Sequence, residues 1–294
     1  MPSRHKNKGS EARRKSSERK ETIKYYRPTS GWVSLELREL WEYREVIYFL
    51  TWRDIKVRYK QTVLGALWAI LQPLMVMVIF TIIFGRLLKA PSDDIPYPLF
   101  AYSALTIWTF FANGVTLASN SMVMEGNMIK KVYFPRMSIP IASVAAGMVD
   151  FCIAFVILVG MMIYYGKTPS MAILTLPLFI ILAVSATLGL GLWLGALNVM
   201  FRDVRYLIPF LLQVLLYASP VAYSSNLIAD KGAWNILYGL NPMAGVIIGF
   251  RWALLKTPIE QPVILATSAA VTISLLITGS FFFKRVEKNF ADVV

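Results

Sequence analysis

The sequence predicts an all-α polytopic membrane protein of six transmembrane helices, preceded by an amphipathic interface helix and carrying a short cytoplasmic helix and an external re-entrant hairpin. Three observations support this. Hydrophobic residues make up 56% of the 294-residue chain and charged residues 16%, with a mean hydropathy of +0.56. Soluble domains hold about 25% charged residues, so this chain has too little polar surface to cover a water-facing body. Several apolar windows reach the roughly 20 residues that cross about 30 Å of hydrocarbon at a rise of about 1.5 Å each. Finally, 16 of the 30 Lys and Arg lie within residues 1–62, ahead of the first long apolar run.

Residues 1–34 are polar and basic and cannot offset their own ordering entropy, so they read as a disordered cytoplasmic tail. Positive-inside anchoring, with anionic-lipid attraction of about 1 kcal/mol per basic group near the surface, accounts for the tail without nucleic acid as a partner. Over residues 35–60, Leu37, Leu40, Trp41, Tyr48, Trp52, Ile55 and Tyr59 recur at three- and four-residue steps among Glu, Arg and Lys. That spacing reads as an amphipathic helix on the membrane surface, with a soluble core helix as the alternative. Thr51 and Asp54 fit the Ser/Thr-x-x-Asp/Glu capping pattern, so a second helix is expected to begin at Trp52.

Residues 61–294 form the membrane domain, with apolar windows at 63–84, 97–119, 138–165, 171–201, 206–224 and 262–283. Between the last two, residues 233–255 are broken by Asn241-Pro242 into two pieces, each too short to cross. Six crossings place 24 of the 30 cations on the side shared by both termini and the loops at 120–137 and 202–205. Arg86, Lys89, Lys167, Lys231, Arg251 and Lys256 are left on the other side. A seventh crossing would send the basic C-terminus outward against the positive-inside rule, so both ends are expected in the cytoplasm of a bacterium's inner membrane. Segment 225–261 then re-enters from outside, where its irregular backbone needs protein or a water-filled cavity around it. Asn241 and Pro242 read as part of an external gate, or as an ordinary external loop with a surface-lying helix.

The single His (His5) and single Cys (Cys152) remove disulfides, Cys/His zinc sites and His-based triads. GMMIYYGKT at 160–168 departs from the phosphate-cradling Gly-x4-Gly-Lys-Ser/Thr loop, with five residues between its glycines and an apolar span rather than a strand before it. ATP and magnesium are therefore expected on a partner, and no cofactor on this chain. Asp150 is the one carboxylate well inside a span, either a functional acid or the acceptor of an interhelical hydrogen bond. Such scarcity of buried acids disfavours an ion-coupled carrier. Two Gly-x3-Gly patterns, 191–195 and 245–249, suggest close helix packing. Trp68, Phe80, Phe210 and Tyr217 are aromatics within spans, suited to lipid-facing packing or to stacking on sugar rings. In the loop NSMVMEGNMIKKVYFPRM at 120–137, Met128, Ile129, Val132 and Tyr133 fall at helical spacing beside Lys130, Lys131 and Arg136, with Pro135 as a stop. This short helix would lie on lipid or dock into a soluble partner.

Residues 51–73, TWRDIKVRYKQTVLGALWAILQP, followed by 129–140, IKKVYFPRMSIP, resemble the permease subunit of polysaccharide-exporting ABC transporters, the O-antigen and teichoic acid export family. The likeness runs from about Leu35 to the last span. It implies a homodimer bound to two copies of a nucleotide-binding ATPase subunit, moving a lipid-linked polysaccharide outward through membrane lipid without bond chemistry of its own. By the same resemblance, Trp52, Arg53, Asp54, Lys56, Arg58 and Tyr59 would lie in the interface helix. Met128, Ile129, Lys130, Lys131, Val132, Tyr133, Phe134, Pro135 and Arg136 would form the coupling helix. Trp68, Phe80, Phe210 and Tyr217 would be candidates for the channel wall, and Asn241-Pro242 falls at the external gate. A drug or small-lipid efflux permease and a membrane-embedded glycolipid transferase are the alternatives; the transferase would need clustered acids at the membrane surface, and the one close pair, Asp93-Asp94, falls in an external loop.

Overall fold

The computed structural model describes residues 37–60, 65–224, 233–259 and 261–287, so the basic tail expected at 1–34 lies outside the described residues. Eleven α-helices occur among them. A short α1 (Leu37–Glu42) leads into α2 (Arg44–Lys60), with the chain breaking at Tyr43. The expected break at Trp52 is absent, because the Thr51 hydroxyl donates back to the Ile47 carbonyl (2.8 Å) and leaves α2 continuous. Glu45 in its first turn and Arg58 and Lys60 in its last complement the helix dipole.

Helix α3 (Gly65–Phe80) carries Pro73 and continues as a π-helical stretch, Thr81–Leu87. Helix α4 (Tyr97–Met124) is followed by a single turn, α5 (Gly126–Ile129), and by α6 (Ser138–Tyr164). A 3₁₀ turn (Met171–Thr175) runs into α7 (Leu176–Met200), then come α8 (Val204–Ala218), α9 (Ala233–Gly239), α10 (Pro242–Leu255) and α11 (Pro262–Glu287).

Four stretches among the described residues are long and apolar enough to cross a membrane: Ile70–Leu87, Ser138–Tyr164, Met171–Met200 and Pro262–Glu287. The remaining two expected spans differ in instructive ways. Helix α4 has 28 residues, ample for a crossing, but 19 of them are buried against α3, α6, α7, α8 and α10. A helix wrapped in protein is released from the need for a lipid-compatible surface, and Ser103, Thr106, Thr116, Ser119 and Ser121 all donate to carbonyls of their own helix. Helix α8 has 15 residues, or about 22 Å at 1.5 Å per residue. It ends at Ala218 because Ser219 turns extended ahead of Pro220, although the apolar pattern runs on to 224.

The glycine patterns are packing devices. Gly191 and Gly195 face Ala118 and Ser119 of α4, and Gly245 faces Ser268 of α11. The tightest backbone approach joins α7 and α11, where a methyl on Gly189 would sit 2.7 Å from the Leu276 nitrogen and one on Gly279 would sit 2.5 Å from the Gly189 carbonyl oxygen. Trp193 stacks on Phe282 across the same seam at 4.2 Å between ring centroids. The 160–168 stretch that invites comparison with a phosphate loop is a helix terminus. Lys167 donates to the Met162 carbonyl, Gly166 to that of Ile163, and Gly166 takes the left-handed φ of +63° that closes α6.

Replacing Gly189 by Val should cost about 1–3 kcal/mol, because the new methyls would meet backbone rather than a movable side chain. A lowered unfolding midpoint in detergent, with Gly160→Val as the control because nothing lies near Gly160, is the expected result.

Candidate functional site

The polar chemistry of the bundle gathers where α2 meets the α4–α5 junction and α6. Glu125 closes α4 and opens α5, so its carboxylate is fixed at a corner of the chain. Arg53 reaches it from α2, with Nη2 donating to Oε1 at 2.6 Å and Nη1 to Oε2 at 3.1 Å. The same guanidinium donates to Asp54 Oδ1 from Nε (3.1 Å) and Nη2 (2.9 Å), and Nη1 lies 4.0 Å from Met128 Sδ on α5. Burial works against the Arg53 charge, but hydrogen bonds to Glu125 and Asp54 outweigh it and hold its pKa above the ordinary value.

One and a half turns further along α2, Arg58 and Tyr59 both donate to Asp150, on separate carboxylate oxygens. Of the two readings open for Asp150, the structure provides the interhelical hydrogen bond. Burial, followed by the bond to Asp150, pushes the Tyr59 phenol well above its usual pKa. These contacts also set the direction of α2. Leu50 packs with Ile139 near the start of α6, and Arg58 and Tyr59 reach Asp150 further along it, so α2 runs beside α6 in the same sense. A cavity of about 370 Å³ lies between α2 (Leu50, Arg53, Asp54, Val57, Arg58), α4 and its closing residue (Leu117, Ser121, Met124, Glu125) and α6 (Ile139, Ser143).

The amphipathic pattern read from the sequence resolves into two faces. Leu40, Tyr43, Val46, Ile47 and Leu50 pack inward, whereas Trp41, Tyr48 and Trp52 are exposed, with Lys56 Nζ 5.2 Å above the Trp52 ring. The helix expected over 128–136 is only the single turn α5. Ile129, Phe134 and Pro135 turn inward and are buried, the first two joining an apolar cluster with Leu50, Met137 and Phe283. Lys130, Lys131, Val132 and Tyr133 remain exposed; Met128 and Arg136 are half-buried. The segment is held at its far end as well, since Arg136 donates to Glu287 of α11 from its backbone N (3.3 Å, to Oε1) and from Nη1 (to the carbonyl). Turn bonds run on past Ile129 to Val132, whose N–H donates to the Met128 carbonyl at 3.1 Å, and the chain becomes irregular ahead of Pro135.

Of the channel-wall candidates, Phe210 and Tyr217 stand on α8, 63% and 60% exposed. Phe80 is corrected: it is 8% exposed and packs edge-on against Phe84 within the main core. Trp68 lies on α3, and its side chain is outside the described residues. Asn241 caps α10, accepting from the Met243 N–H at 3.0 Å and donating to Ser219 Oγ at 2.8 Å, and Pro242 takes the first helical position. Thirteen of the 14 residues of α10 are buried, so protein surrounds this broken segment.

Sequence reasoning missed Arg251. The sequence places it only on the external side, within the re-entrant segment 225–261; it sits in α10, 3% exposed, donating to the carbonyls of Phe100 (3.0 Å), Pro220 (2.5 Å) and Val221 (2.8 Å) and lying 3.5 Å over the Phe100 ring. One side chain thus joins α4, the end of α8 and α10. Glu125 and Glu287 were missed too; their partners lie 72 and 151 residues away, beyond any local signal.

Apolar helices long enough to cross a membrane, joined at one end by an ion-paired connection that leaves a polar segment exposed, make this a membrane-embedded helical domain. The chain belongs to the ABC-2 type transporter family, whose profile matches residues 45–255. It is 27% identical over 259 residues to the O-antigen export system permease protein RfbA of Myxococcus xanthus, covering 88% of this chain and 98% of that one. To an RfbA of Klebsiella pneumoniae it is 30% identical over 251 residues, 85% and 95% of the two chains. The polysialic acid transport protein KpsM of Escherichia coli is 27% identical over 246 residues, 80% of this chain and 91% of that one.

Replacing Arg251 by Met should orphan buried carbonyls at about 1–3 kcal/mol each. The expected outcome is a sharp fall in folded protein recovered from membranes, where Lys256→Met, at an exposed position, leaves recovery unchanged.

Proposed function

We propose that this chain is the membrane-spanning subunit of an ATP-driven exporter that moves a lipid-linked polysaccharide, such as O-antigen, teichoic acid or a similar cell-envelope glycan, across the cytoplasmic membrane. The observation that carries this reading is near full-length similarity to proteins named for O-antigen export and polysialic acid transport. Two copies of this chain would pair, each with one ATPase subunit. In the six-crossing arrangement both termini, the start of α2 and the 126–137 segment are cytoplasmic, and α9 and α10 enter from outside. The exposed aromatics Phe210 and Tyr217 on α8 are suited to line a path for sugar rings. Lys130, Lys131, Val132 and Tyr133 are the surface an ATPase groove would take, since they are exposed beside residues that anchor the segment, with the Tyr133 hydroxyl donating to Glu39 Oε1 of α1 at 3.4 Å.

The chain supplies no bond chemistry in this reading. Closure of the ATPase pair would press on the 126–137 segment, and the two permease halves would rearrange around the cargo. Loss of the chain should abolish surface glycan and leave its lipid-linked precursor in the inner leaflet; intact surface glycan together with new sensitivity to amphiphilic drugs would favour an efflux permease instead. Val132→Ala with Tyr133→Ala should lower permease-stimulated ATP hydrolysis by about tenfold, or ~1.4 kcal/mol of coupling, at unchanged membrane levels. By contrast, Ile129→Ala should lower the amount of folded chain, because that side chain is buried.

A further inference from the structure

Helix α2 is attached to the bundle by polar bonds at two points along one face, and the two attachments differ in what they hold. At Arg58 and Tyr59 the partner is Asp150, which lies well inside α6, itself packed along α4. At Arg53 the partner is Glu125, the corner residue between α4 and the coupling turn α5. Between these attachments, Asp54 and Val57 form one wall of the 370 Å³ cavity, opposite Leu117 and Ser121 of α4 and Ser143 of α6. We infer that Arg53 is a positioning residue: through Glu125 it carries movement of the coupling segment into the interface helix, which swings on its Asp150 anchorage and changes the width of the cavity. This rests on the permease reading above.

The form of the bond suits that task. Two parallel N–H···O bonds between a planar guanidinium and a carboxylate fix direction as well as distance, so the pair resists sliding. Its side chains are 32% and 25% exposed, which leaves the attraction less screened than at an open surface. Apolar contact also joins the two parts, since Leu50 shares a cluster with Ile129 and Phe134, but apolar contact is non-directional and holds proximity rather than register. Geometry then supplies leverage. At about 1.5 Å per residue, Arg53 lies about 7.5 Å from the Arg58 anchorage and Arg44 about 21 Å, so a displacement imposed at Arg53 grows nearly threefold at the start of α2.

The test uses the intact complex with its ATPase in lipid nanodiscs, on a Cys152→Ala background, with an environment-sensitive dye at Val57→Cys in the cavity wall or at Asn127→Cys on α5. In the parent complex both dyes should respond to a non-hydrolysable ATP analogue. With Arg53→Gln the α5 dye should still respond, the cavity dye should lose about fivefold of its response, and glycan export should fall while ATP hydrolysis persists. The exchange Arg53→Glu with Glu125→Arg should restore at least about half of both, the new arginine lying near Asp54 as well. Arg53→Lys keeps the charge without the fork, and it should give an intermediate response; it is read in the same way if Arg53→Gln does not assemble with the ATPase. A full cavity response or full export in Arg53→Gln, or no recovery in the exchanged pair, overturns the inference. A silent α5 dye in the parent complex instead overturns the permease reading, and the inference with it.

Discussion

Polar groups carried into this bundle are for the most part satisfied by the chain itself, and the arrangement of the helices follows from that constraint. Hydrocarbon offers no hydrogen bonds, so a cation or a helix end placed there stabilises only the geometry that pairs it. Arg251 is the clearest case. The end of α8 exposes the carbonyls of Pro220 and Val221 where the chain turns, and one buried guanidinium on α10 closes both while also reaching the Phe100 carbonyl on α4. The short α8 and short α10 are therefore complementary, one ending in acceptors that the other supplies with donors. Asn241 works similarly at the opposite end of α10, spending its amide on the Ala218 carbonyl and Ser219 and its carbonyl oxygen on its own helix start.

The same constraint divides what could be read in the sequence from what could not. Spans facing lipid were legible to within a residue or two, at Ser138–Tyr164 and Met171–Met200, because lipid demands continuous apolarity along the whole element. Helix α4 was under-read at its end, and α8 over-read, because neither is governed by lipid there: α4 runs on to the polar junction at Glu125, and Pro220, Val221 and Ala222 keep an apolar pattern while the backbone turns. Local spacing marked the 126–137 segment but exaggerated its helix, which gives way to turns by Val132 ahead of Pro135, and nothing near it in sequence named its partner Glu287, 151 residues away. Phe80 and Phe210 carry the same ring within apolar runs, and only packing separates the core residue from the exposed one. Asp150 stood out because an acid is rare in such a run, but nothing near it in sequence named Arg58 and Tyr59.

Viewed from its polar end, the fold separates stiffness from mobility. The α7–α11 seam is closed by backbone contact at Gly189 and Gly279 and leaves little room for sliding. Helix α2 packs along α6 as well, but a cavity opens beside it between Leu50 and Arg58, and its polar attachments there are the ion pairs of Arg53 and Arg58. Elements with few close-packed contacts are the ones a bundle can move without rebuilding its core. An exporter of bulky, hydrated cargo needs that division, with a rigid frame to keep the membrane sealed and a looser element beside it.

The bond between Arg136 and Glu287 has a consequence for how the protein is made. Chains fold as they emerge, N-terminal parts first, and Glu287 comes 151 residues after Arg136. The 126–137 segment thus acquires its second tether only after α6 to α11 have been made. A chain stopped before α11 would present that segment held on one side alone, without its bonds to Glu287.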